Sequence, residues 1–139
     1  GIVIKSKCRN LTRENWKEYV AGYTCVNDIT ARDLQPSGTQ WTESKSFDSF
    51  CPIGPTIKIT DTNNLKIRCF VNDECKQEDN TNNMIFNIEK LMIYITSIMT
   101  LNEGDVISTG TPAGSCPVNR GDKIVIEIDH IGELINIVE

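Results

Sequence analysis

The stretch Leu65-Lys66-Ile67-Arg68-Cys69-Phe70-Val71 alternates apolar and polar side chains, and Asn72-Asp73 follows it directly. Alternation puts every second side chain on one face of an extended chain. An Asn-Asp pair tolerates the positive φ angles of a tight hairpin turn. The chain is therefore expected to return through residues 74–78 as an antiparallel partner. A lone hairpin is not stable in water, so the rest of the chain must supply more strands. Candidates rich in β-branched residues lie at residues 1–5, 23–26, 56–60, 106–108, 123–128 and 134–138.

Two segments carry helical patterning instead. Thr12 is a candidate N-cap for a helix over residues 13–20, with Leu11 and Trp16 as its hydrophobic staple and Gly22 as its stop. A longer helix should start after Asn87. Ile88, Leu91, Met92, Ile95, Ile98 and Met99 repeat there at helical spacing, with Phe86 and Leu91 as the staple. Gly104-Asp105 then turns the chain. Residues 36–48 and 79–83 read as loops, the first opening with the turn chemistry of Pro36-Ser37-Gly38-Thr39. The expected class is α+β, mostly β, with two helices. The chain has 139 residues, enough for one domain with a proper core, and shows no repeat and no linker. The strand over residues 1–5 is already running at the first residue, which is the expectation for a chain that lacks its upstream part.

Charge and cysteine usage narrow the function. A net charge of −5 argues against a nucleic-acid partner, which calls for a basic surface. No apolar run is long enough for a membrane span. The six cysteines form no Cys-x-x-Cys pair, so a zinc site is not expected. Several lie in or beside apolar runs, as with Cys25, Cys51 and Cys69, where thiols behave as small hydrophobes. Free thiols and a cytoplasmic setting follow as expectations. His130 has no nucleophile motif to serve, and Arg120-Gly121-Asp122 before a strand is ordinary turn chemistry.

The densest chemistry is Asn27-Asp28-Ile29-Thr30-Ala31-Arg32-Asp33-Leu34-Gln35, directly after the apolar run Tyr23-Thr24-Cys25-Val26. Polar groups at the mouth of a strand are where binding and catalytic side chains are commonly carried. This stretch resembles the signature of the fumarylacetoacetate hydrolase superfamily. Further blocks resemble the same family in the same order. They are Gln40-Trp41-Thr42 with Lys45-Ser46-Phe47-Asp48, then Cys51-Pro52-Ile53-Gly54-Pro55, and Val71-Asn72-Asp73-Glu74 with Gln77, Asn80-Thr81 and Met84-Ile85-Phe86. The last is Gly104-Asp105-Val106-Ile107 with Thr109-Gly110-Thr111-Pro112-Ala113-Gly114. Ser115-Cys116 departs from the small residues usual after this loop.

The resemblance implies a mixed β-sandwich roll with two helices, forming a single catalytic core over residues 1–139. It implies a divalent ion, Mg²⁺ or Mn²⁺, with Asp28 as one carboxylate ligand. Two further ligands would come from a Glu-x-Glu pair upstream of Gly1, as would a catalytic lid. Lys45 and Thr111 are implied as catalytic side chains, and Arg32, Gln35 and Thr111 as contacts to the substrate. Asp33 is expected to be structural, pairing with Arg32 or capping backbone amides. The implied substrates are small 2-oxo, β-diketo or 2-hydroxy-dienoic dicarboxylates, processed through a metal-stabilised enolate. The reaction would be isomerisation, C–C hydrolysis or decarboxylation, with a lean to a 2-hydroxyhepta-2,4-diene-1,7-dioate isomerase. A homodimer is implied as well. The rival reading is a non-catalytic binding or assembly domain that keeps the fold with an incomplete metal site. An upstream Glu-x-Glu would discriminate between the two.

Overall fold

The computed structural model describes residues 1–35 and 40–139. In chain order the strands are β1 (Ile2–Ile4), β2 (Val20–Val26), β3 (Ile53–Lys58), β4 (Lys66–Val71), β5 (Glu74–Asn80), β6 (Val106–Ile107), β7 (Lys123–Ile128) and β8 (Gly132–Ile137). The α-helices are α1 (Thr42–Lys45) and α2 (Ile88–Ile98). The strands form two four-stranded sheets, ordered β3-β2-β1-β6 and β5-β4-β7-β8. Their pairings are antiparallel.

Period-two burial sorts the second sheet. Ile124, Ile126 and Ile128 of β7 are buried and Lys123 between them and the turn is exposed, while Leu134 of β8 faces inward opposite Ile126. These side chains meet Ile2, Ile4, Tyr23 and Cys25 of the first sheet in one apolar cluster. Burying such a cluster is the main driving force for the sandwich, at about 25 cal/mol per Å² of apolar surface.

The hairpin turn Asn72-Asp73 forms as expected, with φ of 51° and 67°. Asn72 also ties this turn to the next sheet connection, accepting from Lys123 N at 3.0 Å and donating to Asp122 Oδ1 at 2.7 Å. Asp122 in turn accepts from Asn119 N at 2.7 Å, and these bonds hold its carboxyl below the usual carboxylate range. The Arg120-Gly121-Asp122 tripeptide is thus a structural turn.

The expected helix over residues 13–20 is a correction. Only Trp16–Tyr19 is helical, as a short 3-10 segment, and the chain becomes β2 at Val20. Pairing decides this: Val20 lies opposite Ile4, and Lys5 N donates to Tyr19 O at 2.8 Å. Thr12 is no helix cap; its amide donates to Asn15 Oδ1 at 2.9 Å. Leu11 and Trp16 are nonetheless buried. Gly22 stops nothing, because it lies inside β2 where the neighbouring strand passes close. A Cβ there would sit 2.8 Å from Lys58 O.

The second helix forms as read. Asn87 Oδ1 accepts from Lys90 N at 3.0 Å as its N-cap. Met92 is fully buried, and Ile88 and Ile95 pack against the core. Phe86, Ile98 and Met99 are exposed, so the staple does not close and the stripe is buried only along its middle. Within residues 36–48, the turn expected at Pro36-Ser37-Gly38-Thr39 lies outside the described residues, and α1 stands where a loop was expected. Cys51 is likewise exposed, not buried, because it precedes β3 at a surface bend with φ of 63°. Among the described residues no helix is long and apolar enough to cross a membrane.

Candidate active site

β2 carries the chain out of the core at Val26 and delivers Asn27-Asp28 to one end of the sandwich. Backbone bonds fix the bend there, with Asn27 N donating to Pro52 O at 3.0 Å and Ile29 N to Asn27 O at 3.1 Å. Ala31 N donates to Ser44 O at 2.9 Å, which ties this loop to α1. Ser44 is fully buried and its hydroxyl donates to Trp41 O at 2.8 Å. Lys45 ends α1, so the anchoring of Ser44 sets where its side chain can reach. Its Nζ donates to Asp28 Oδ2 at 2.5 Å. Both partners are partly exposed, so this ion pair adds little to stability.

The opposite wall comes from the second sheet and from the loop after β6. Gly110 and Gly114 take φ of 111° and 101°, values that suit glycine. Gly114 is pressed onto β5, where a Cβ would stand 2.2 Å from Lys76 O. Gln77 Nε2 donates to Thr111 Oγ1 at 2.9 Å and to Pro112 O at 2.6 Å.

Between the walls lies a cleft of about 200 Å³. Ile126, Ile128 and Ile131 form apolar parts of its lining, and Asp28, Arg32, Lys45, Thr111 and Gln77 polar ones. Thr24 and Tyr23 line it from β2. Thr24 Oγ1 is buried without a hydrogen-bond partner among the described residues. Burial pushes the Tyr23 hydroxyl and the Cys69 thiol above their ordinary values. The cleft is thus an apolar pocket with a few convergent polar groups, the usual form of a small-molecule site.

Four of the five expected site residues, Asp28, Arg32, Lys45 and Thr111, line this cleft. Gln35 is not among the lining residues; its Oε1 accepts from the Arg32 guanidinium. Arg32 is held by Gln35, and no pairing with Asp33 is seen among the described residues. Thr24 carried no signal in the sequence beyond its place in a strand. Gln77 belonged to a recognisable block, but nothing in the sequence pointed it at Thr111. Asp28 is a hard oxygen donor of the kind Mg²⁺ and Mn²⁺ take. Among the described residues, however, no three His, Cys, Asp or Glu side chains cluster to hold a metal ion. These residues alone do not make a divalent site.

The model of the family described as fumarylacetoacetate (FAA) hydrolase C-terminal matches residues 1–139. The mitochondrial oxaloacetate decarboxylase of Dictyostelium discoideum is 47% identical over 131 residues, which are 89% of this chain and 60% of that protein. The crystal structure of 2-hydroxyhepta-2,4-diene-1,7-dioate isomerase from Mycobacterium marinum matches with a TM-score of 0.95 at 42% identity. It covers 99% of this chain and 55% of that one. Maleylpyruvate hydrolase from Sphingobium sp. SYK-6, in complex with manganese(II) ion and pyruvate, matches with a TM-score of 0.89 at 38% identity, over 99% and 51% of the two chains. The chain spans about half the length of the relatives it matches.

Proposed function

The chain belongs to the fumarylacetoacetate hydrolase family, whose named relatives are enzymes, and on that premise we propose that it is the core of an enzyme acting on small 2-oxo, β-diketo or 2-hydroxy-dienoic dicarboxylates. The reaction passes through an enolate. The observation that carries this reading is the contact of Lys45 with Asp28 in a cleft that Arg32 and Thr111 also line. Lys45 supplies a fixed positive charge beside an enolate oxygen, the kind of preorganised stabilisation that lowers such barriers most. The guanidinium of Arg32 binds a substrate carboxylate by paired donors. Gln35 sets the plane of that guanidinium and reaches substrate itself only by turning inward. Thr111 offers a hydroxyl from the far wall.

A divalent ion, Mg²⁺ or Mn²⁺, with Asp28 as one ligand, would supply Lewis-acid polarisation of the 2-oxo group. Its remaining carboxylates would come from the part of the protein upstream of Gly1, in keeping with relatives nearly twice as long. Among the three reactions we favour the 2-hydroxyhepta-2,4-diene-1,7-dioate isomerase, which the Mycobacterium marinum neighbour supports. A cytoplasmic homodimer completes the reading. Its supports are six free cysteines and the exposed Ile135 and Ile137 on β8, and light scattering would reveal a monomer if the dimer is wrong.

The test is turnover of a panel by the full-length protein with Mn²⁺: 2-hydroxyhepta-2,4-diene-1,7-dioate, an acylpyruvate and oxaloacetate. At least one should be consumed, and Lys45→Met should lower kcat about 100-fold or more. Because the ion pair is partly exposed, that substitution should shift Tm by only a degree or two, consistent with less than about 1 kcal/mol. No turnover across the panel would leave the non-catalytic domain as the better reading.

A further inference from the structure

We propose that Gln77 is a positioning residue that makes the Thr111 hydroxyl a hydrogen-bond donor toward an anionic oxygen in the cleft. This rests on the reading of the cleft as the site of enolate chemistry. The Pro112 carbonyl can only accept, so the atom of Gln77 that lies 2.6 Å from it must be the amide nitrogen. That same nitrogen is 2.9 Å from Thr111 Oγ1. Its two hydrogens therefore serve one acceptor each. The Thr111 oxygen accepts from Gln77, and its own proton must point elsewhere. Thr111 is exposed and lines the cleft, so the cleft is where that proton is free to go. A hydroxyl that accepts one bond is also polarised to donate a better one.

The backbone is arranged for this contact. Phe70 pairs with Cys75 and Cys69 with Gln77, which leaves Lys76 as an extra residue in β5. Such a bulge flips the side chains beyond it to the other face. Gln77 therefore shares the cleft face with Cys69, its pairing partner on β4, and with Ile126, which pairs with Cys69 from β7. The bulged Lys76 is also where Gly114 presses down. One irregularity thus both seats the loop and aims the amide that orients its threonine. An anionic oxygen needs donors around it, and an acceptor presented in their place would repel it.

The experiment uses the full-length protein and a substrate it turns over, with Gln77→Leu, Gln77→Glu, Thr111→Val and the double variant Gln77→Leu/Thr111→Val. Gln77→Leu and Thr111→Val should each lower kcat about 10- to 100-fold with KM changed by less than about threefold. The double variant should be no slower than Thr111→Val, because Gln77 acts only through that hydroxyl. Gln77→Glu should be at least as slow as Gln77→Leu, since a carboxylate would take the threonine proton and turn it out of the cleft. Should Gln77→Leu fail to fold, the Gln77→Glu rate decides alone. Multiplying losses in the double variant, or wild-type kcat in Gln77→Glu, would overturn the assignment. If Gln77 variants are neutral while Lys45→Met and Thr111→Val are slow, only the role of Gln77 falls. If those two are also neutral, the reading of the cleft falls first.

Discussion

The six thiols differ in what can reach them. Cys25 is 1% exposed, with its Sγ donating to Gly132 O at 3.4 Å, and Cys8 is 5% exposed. Burial raises both thiols above their ordinary value, so at neutral pH each is protonated as well as covered. Cys51 and Cys75 are exposed. A disulfide-exchange reagent at neutral pH should modify Cys51 and Cys75 rapidly and leave Cys8 and Cys25 untouched until denaturant is added. Six thiols should then titrate without reductant; a lower count, with linked peptides in mass spectrometry, would overturn the cytoplasmic setting proposed above. Lys45 shows the opposite case, a partly exposed side chain whose value lies in its aim. Its position was readable as a motif, but its partner was not, since Asp28 lies 17 residues away and only the folded α1 brings them together.

Among the elements, α2 is fastened by a residue that its apolar stripe conceals. Thr96 is fully buried; its hydroxyl donates to Met92 O at 2.7 Å and accepts from Leu11 N at 3.1 Å. Thr96→Val keeps the shape but leaves the Leu11 amide unsatisfied. We expect a loss of about 1–3 kcal/mol in urea unfolding with an unchanged m-value. No loss would mean that Leu11 N finds another acceptor. The elements also show what local pattern can convey. The hairpin at Asn72-Asp73 and the helix from Asn87 were legible because turn residues and an N-cap act within a few positions. Residues 13–20 depart from the helix expected of them because long-range pairing of Val20 with Ile4 overrides a local helix signal. The bulge at Lys76 was invisible for a related reason. Counting back from the turn without it pairs Cys69 with Lys76 and sends Gln77 to the outer face, so the register, and with it part of the site, could not be read from alternation.

At the scale of the molecule, the cleft holds one expected metal ligand and the described residues offer no cluster to complete it. Calorimetric titration with Mg²⁺ and Mn²⁺ should show weak binding to this 139-residue chain and markedly tighter binding to a form extended upstream. Tight binding by the short chain that survives Asp28→Ala would place the ion elsewhere. The cleft has a second character. Ile126 and Ile128 belong at once to the apolar cluster between the sheets and to the cleft lining. The site is therefore a stretch of interior left unfilled at one end of the sandwich. A small molecule that occupies it completes the packing, and its binding energy becomes folding energy, about 2.7 kcal/mol at a hundredfold excess over Kd. Melting temperature thus becomes a reporter of occupancy, able to rank ligands before any reaction is known and in variants too slow to assay.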